Sequence, residues 1–227
     1  MRRLLSVLAL CLTIVPASAS AQQSLNLYLG GFVPLSEDAR SRDDVLLNNL
    51  DFLDFNLKDF DAATVGGEWL IGLGEKFEGG LGIGISSRTV PAVYRRYTNS
   101  DRSEIEQDLK LRIVPFTATV RFLPLGRRDA FEPYIGAGVG VFGFRYSETG
   151  QFVAADKSVY RDAFVGSGSA TGPVVLGGVR FPVGSAALGL EVRYQSAEGL
   201  LPKDQDFAGP TIDLGGMSYL FTLKFKL

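Results

Sequence analysis

The chain has 227 residues, with 23 Lys and Arg against 25 Asp and Glu, a formal net charge of −2, one cysteine and no histidine. The lack of histidine excludes histidine-based general-base catalysis and histidine metal sites, the single cysteine excludes an internal disulfide, and the near-balanced charge leaves no basic footprint for nucleic acid. With 27 glycines, 16 phenylalanines and 8 tyrosines, the length suits one all-β domain.

At the N-terminus, Arg2 and Arg3 precede an apolar run from Leu4 to Val15 and the small residues Ala17, Ser18, Ala19, Ser20 and Ala21. This is the pattern of a secretory signal peptide cleaved after Ala21, and the run is shorter than the ~20 residues of a spanning helix. Residues 1–21 are read as the signal and 22–227 as the mature domain. Cys11 lies inside the signal, where Leu10 is too large for a lipoprotein cleavage box. The mature chain therefore has no thiol, and its 21 basic residues face 25 acidic ones.

Eight segments then place apolar residues on alternate positions, near 24–35, 62–73, 77–90, 109–123, 131–146, 172–183, 186–197 and 213–227. That period is expected when one strand face meets lipid and the other faces inward, and each segment exceeds the ~9 residues a tilted barrel strand needs. In the last, Tyr219, Phe221, Leu223, Phe225 and Leu227 share one face, opposite Ser218, Thr222, Lys224 and Lys226. The links alternate in length. Gly74-Glu75-Lys76, residues 124–130 and Gly184-Ser185 are short, whereas 36–61, 91–108, 147–171 and 198–212 are long and polar. This predicts an eight-stranded antiparallel up-and-down transmembrane β-barrel with four long external loops and three short periplasmic turns.

The segment Glu132-Pro133-Tyr134-Ile135-Gly136-Ala137-Gly138-Val139-Gly140 resembles the Pro-Tyr-x-Gly-x-Gly-x-Gly strand of the small outer-membrane β-barrel families that include OmpA, OmpX and OmpW. The final strand is similar to the C-terminal signal read by the barrel-assembly machinery, with Tyr219, Phe221, Leu223, Phe225 and Leu227 as its residues; Leu227 stands where Phe is usual. The resemblance implies a location in the Gram-negative cell outer membrane. Lipid, lipopolysaccharide, periplasmic chaperones and the assembly machinery are the implied partners. No peptidoglycan-binding domain follows the barrel, so a cell-wall tether is not implied. Outer-membrane barrel enzymes rely on histidine, so no catalytic residues, cofactor or metal are assigned, and a monomer is expected.

Assigning lipid to the apolar parity turns Glu68, Glu78, Arg121, Arg180, Glu191, Arg193 and Lys224 inward, three acids against four bases. An eight-stranded barrel is only wide enough for side chains or one small ligand, and buried charges need partners. An ion-pair network filling the lumen is expected, in a barrel with a structural or interaction role; the alternative is an OmpW-like narrow conduit for small or hydrophobic solutes. The glycine strings 79–84 and 136–140 lead into no helix, so they are not phosphate loops and are read as lumen positions leaving room for bulky partners.

Phe77, Phe122, Phe131, Tyr134, Phe181 and Phe225 are placed at the short-turn rim, and Tyr28, Tyr94, Tyr146, Tyr194 and Tyr219 at the other, with Trp69 deeper in the lipid band. The first long loop, with Glu37, Asp38, Asp43, Asp44, Asp51, Asp54, Asp59 and Asp61 against Arg40, Arg42 and Lys58, reads as a solvated, partly ordered segment. Its interleaved Leu46, Leu47, Leu50, Phe52, Leu53, Phe55 and Leu57 suggest a short helix or strand extension over the barrel mouth. Glu104, Glu106 and Asp108 read as solvated loop surface, and residues 166–169 (Gly-Ser-Gly-Ser) as flexible.

Overall fold

The computed structural model describes residues 22–127 and 130–227; the segment read as a signal peptide lies outside the described residues. In chain order it contains β1 (Gln23–Pro34), a 3-10 turn (Glu37–Ala39), helix α1 (Val45–Asn49), β2 (Leu53–Asp54), a second 3-10 turn (Leu57–Phe60), β3 (Ala62–Gly72), β4 (Phe77–Thr98), β5 (Glu104–Phe122), β6 (Glu132–Val153), β7 (Val159–Val183), β8 (Ala186–Gln195), β9 (Glu198–Leu200), β10 (Thr211–Asp213) and β11 (Gly216–Lys226). Among the described residues, β1, β3, β4, β5, β6, β7, β8 and β11 pair in that cyclic order, and β11 returns to β1. Every pairing is antiparallel, so the sheet closes on itself.

The period-two pattern decides which face is which. On β6, Ile135, Val139 and Val141 point outward and are exposed, while Tyr134, Phe142 and Phe144 point inward and are buried. The same alternation gives exposed Leu25, Leu27 and Leu29 on β1, Leu81, Ile83 and Ile85 on β4, and Leu188, Leu190 and Val192 on β8. A continuous apolar exterior of this size is costly in water and favourable in hydrocarbon, so the barrel spans a bilayer. Phe77 stacks with Phe122 (centroids 5.3 Å apart) and Phe131 with Phe181 (5.8 Å), forming an aromatic edge at the short-turn end. Two of those short turns close through glycines at positive φ, Gly74 (78°) and Gly184 (62°), a region closed to most side chains.

The opposite end departs from the sequence reading. Links 91–108 and 147–171 are β-ribbons rather than loops. β4 and β5 pair from Phe77↔Phe122 out to Val93↔Glu106 and, after a register shift, at Thr98↔Glu104, and β6 and β7 pair from Glu132↔Arg180 to Val153↔Val159. Each ribbon ends in a matching five-residue turn. Asp101 accepts from the backbone N–H and hydroxyl of Ser103 (3.0 and 2.7 Å), and Asp156 does the same for Ser158 (2.9 and 2.6 Å). Between them Arg102 (φ 69°) and Lys157 (φ 67°) take left-handed backbone. The repeated Asp-Arg-Ser and Asp-Lys-Ser triplets were the available turn signal. Residues 166–169, read as flexible, are strand: Gly166 pairs with Tyr146 and Gly168 with Phe144, and Leu201 and the Phe144 ring occupy the space beside these glycines.

The first long link folds inward over the mouth. Asp44 caps α1 by accepting from the N–H groups of Leu46 and Leu47 (3.0 and 3.2 Å). Five residues cannot hold a helix alone; burial of Val45, Leu46, Leu53, Leu57 and Phe60 against lumen-facing Leu109, Leu111, Phe142 and Tyr146 does so. β2 adds to the edge of β4 at Leu53↔Tyr94. The segment is thus an ordered apolar cap. From the fourth link, the β9–β10 hairpin contributes Leu201, Ile212 and Leu214 to the same cluster.

Candidate functional site

Below the cap, each strand turns polar side chains inward, and the seven charged residues picked from parity are all buried in the lumen. Cross-strand register explains how they fit. Glu68 lies opposite Gly82, Glu78 opposite Gly72, Arg121 opposite Gly136, Arg180 opposite Gly189 and Glu191 opposite Gly178, so a large charged side chain repeatedly faces a missing one. Two of these glycines, Gly82 and Gly136, come from the glycine strings, and Gly72, Gly178 and Gly189 play the same part outside them.

The charges form two groups. Arg121 donates to Glu68 (2.6 Å) and Glu191 (3.0 Å), and Arg193 donates to Glu68 (2.9 Å) and also pairs with Glu191, making a four-membered ring of alternating sign. Asn26 and Tyr134 add hydrogen bonds to Glu68 (3.0 Å) and Glu191 (2.9 Å). Nearer the short turns, Glu78 accepts from Arg180 and Lys224, both at 2.7 Å, and Arg127 approaches it to 4.0 Å.

Tyr134 lies between the groups, with the guanidinium carbons of Arg121 and Arg180 at 5.2 and 4.3 Å from its ring. Among the described residues, Nε and Nη1 of Arg121 and Nε and Nη2 of Arg180 have no hydrogen-bond partner, and the ring supplies a cation–π contact to each guanidinium.

Several participants escaped the sequence reading. Tyr28, Tyr134 and Tyr146, placed at the rims, are lumen residues buried at 5% exposure or less. Tyr28 and Tyr134 occupy space over Gly84 and Gly178, and the Tyr28 hydroxyl donates to the Ile83 carbonyl (3.2 Å). Their polar tips need buried acceptors, which lipid lacks. Glu132, buried and in register with Arg180, is a further inward acid; the parity of Tyr134 two positions on was the available signal. Outside, Tyr219, Phe221 and Phe225 are exposed on the lipid-facing side of β11, with Leu223 half-buried among them, and Leu227 is exposed just past the strand's end. Glu104, Glu106 and Asp108 are exposed on the outer face of the β5 ribbon.

The cap is fastened by a second polar node. Asp44 receives Arg40 through both oxygens (3.0 Å each) and the Asp213 N–H (2.6 Å), while Arg40 also donates to the Asp213 carbonyl (3.0 Å). Under the cap, Glu148 accepts from Asn49 (2.7 Å) and Tyr146 (2.8 Å). Glu148 and Asp213 lie beyond the lipid belt, and burial raises both carboxyls above their ordinary values of 4.5 and 3.8.

A carboxyl raised by folding contributes stability that is full below its ordinary value and is lost as pH rises through the raised one. The cap is therefore expected to resist protease better near pH 4 than at pH 7. Glu148→Gln is expected to flatten that dependence and slow cleavage at pH 7. Equal cleavage rates across the range would refute the assignment.

No family model matches the chain, and no curated protein matches its sequence. Among solved structures, it is similar to Neisserial surface protein A (11% identity, TM-score 0.49, covering 90% of this chain and 96% of that one). It is also similar to the outer membrane protease OmpT of Escherichia coli (11%, 0.46, 95% and 100%) and to Ail, the attachment invasion locus protein of Yersinia pestis, in a complex with the heparin analogue sucrose octasulfate (11%, 0.45, 91% and 99%). Identity of this order says nothing about activity.

Proposed function

We propose that this outer-membrane β-barrel is a closed, non-conducting structural and interaction protein, whose lumen is sealed by its ion-pair network and whose external end engages lipopolysaccharide. The observation that carries the first half is the continuity of the filling. The charged tier spans the lumen from Glu78 to Arg193, and the apolar tier under the cap begins at Phe32 and Ile113. A void between them, bordered by Tyr28, Phe32, Arg193 and Gln195, measures about 20 Å³, room for about one water. A conduit for small or hydrophobic solutes would need both tiers to move.

In planar bilayers the barrel is expected to give conductance at the lipid baseline over a range of voltages. Sustained channel openings by the folded, heat-modifiable species would sink the closed reading.

The second half rests on the exterior just above the apolar belt. There Arg112 of β5 sits directly opposite Arg145 of β6, and Lys110 lies one outward position further on. Like charges paired across strands repel, and among the described residues none of these three has an ion-pair partner. A phosphate bridging Arg112 and Arg145 would relieve that repulsion through charge-assisted hydrogen bonds. Lipopolysaccharide is expected to raise the barrel's unfolding temperature in phosphatidylcholine vesicles, and Arg112→Gln/Arg145→Gln is expected to abolish most of that rise. An undiminished rise in the double variant would remove these residues from the contact.

A further inference from the structure

At the outer end of the barrel, where the inward faces of the two β-ribbons meet the cap, lies a cleft of about 570 Å³. Its walls are aromatic on both sides. Phe52 and Tyr94 (centroids 5.8 Å apart) and Tyr97 line one wall, and Phe152, Tyr160 and Phe164 line the other, with Phe152 at 5.8 Å from Tyr160 and 4.7 Å from Phe164.

The cleft is also bordered by two acceptors, Gln107 and Glu148, both nearly inaccessible. The Gln107 amide nitrogen is spent on the Tyr94 hydroxyl (3.2 Å) and the Gln151 carbonyl (2.9 Å), which fixes its orientation and leaves its oxygen without a donor. Glu148 receives neutral donors only, Asn49 and Tyr146, on one oxygen. Among the described residues no cation pairs with it.

We infer that this cleft is a binding site for a small organic cation carrying an apolar or aromatic body, such as an arylalkyl ammonium. Two facing aromatic walls suit the flat body and attract the cation through their ring faces. A buried carboxylate held by neutral donors lacks the positive charge that the cation supplies. Asp206 at the rim adds a second negative charge against the single Lys157. The volume falls within the ~300–1,000 Å³ usual for small-molecule sites. The cleft lies at the outer mouth, away from the ion-pair tier, so this inference holds or fails independently of whether the barrel conducts.

The test is calorimetric titration of the folded barrel in detergent micelles with benzyltrimethylammonium chloride, using empty micelles as blank and benzyl alcohol as the neutral control. Saturable one-site binding is expected, about tenfold weaker in Glu148→Gln and in Tyr160→Ala, with benzyl alcohol binding the wild type and Glu148→Gln equally weakly. Tyr160 is an exposed ring on β7, so its variant probes the cleft without touching Glu148's contacts under the cap. Heat-modifiable mobility verifies that each variant is folded. No saturable heat above the blank, or unchanged affinity in either folded variant, overturns the inference.

Discussion

Replacing Arg121 by methionine is expected to destabilise the barrel by about 3–5 kcal/mol, the largest effect of any single substitution in the lumen. Arg121 has no exposed surface and joins Glu68 to Glu191. Its loss leaves two buried carboxylates sharing Arg193 alone. Lys224→Met should cost less, because Arg180 remains on Glu78 at 2.7 Å. Adding Glu68→Gln to Arg121→Met should recover part of the loss, since it removes one of the orphaned charges.

Urea unfolding in vesicles, followed by fluorescence of Trp69, the single tryptophan and an exposed lipid-facing one, gives these values. A cost below about 1 kcal/mol, the level of a surface pair, would mean that water fills the lumen and carries the charges, against the sealed reading.

Asp44→Ala is expected to release the cap while leaving the barrel folded. The substitution removes the α1 cap, typically ~1 kcal/mol, strands the buried Arg40 without its carboxylate and frees the Asp213 N–H. An unpaired buried charge adds about 3 kcal/mol or more, enough to undock a segment held by one apolar cluster. Trypsin should then cut at Arg40 and Arg42 in a barrel that still shifts on heating, whereas the wild type resists at Arg40. Asp44→Asn, which keeps an acceptor for the helix N–H groups, should be cut at an intermediate rate. Identical cleavage in all three proteins would place the anchoring of the cap elsewhere.

The eight strands were legible because the alternation in β1, β6 or β11 is a one-dimensional signal. Hydrocarbon outside and a narrow lumen inside impose period two regardless of what the chain does later. The same parity turned Glu68, Glu78, Arg121, Arg180, Glu191, Arg193 and Lys224 inward, since a charge on the lipid face would be costly. The ribbons were missed because their outer faces carry Glu104, Glu106, Asp108 and Arg145, which beyond the bilayer meet water, and a polar strand then looks like a loop.

By itself, then, the sequence determined the barrel, the membrane-facing surface and the inward set of charges, each a consequence of local alternation. Only the tertiary structure decided the pairing. Arg121 bridges Glu68 and Glu191 rather than Glu78, although Glu78 is its own neighbour across β4 and β5, because strands distant in sequence converge across the lumen at that height. The same is true of Tyr134, which the sequence left at the rim and which barrel closure set between two guanidinium groups, and of Asp44. Asp44 belongs to an apparently solvated acidic loop, yet it becomes a buried anchor once Arg40 and Asp213 meet over the mouth. Contacts of this kind depend on strand register and curvature around a closed ring, which no local pattern encodes.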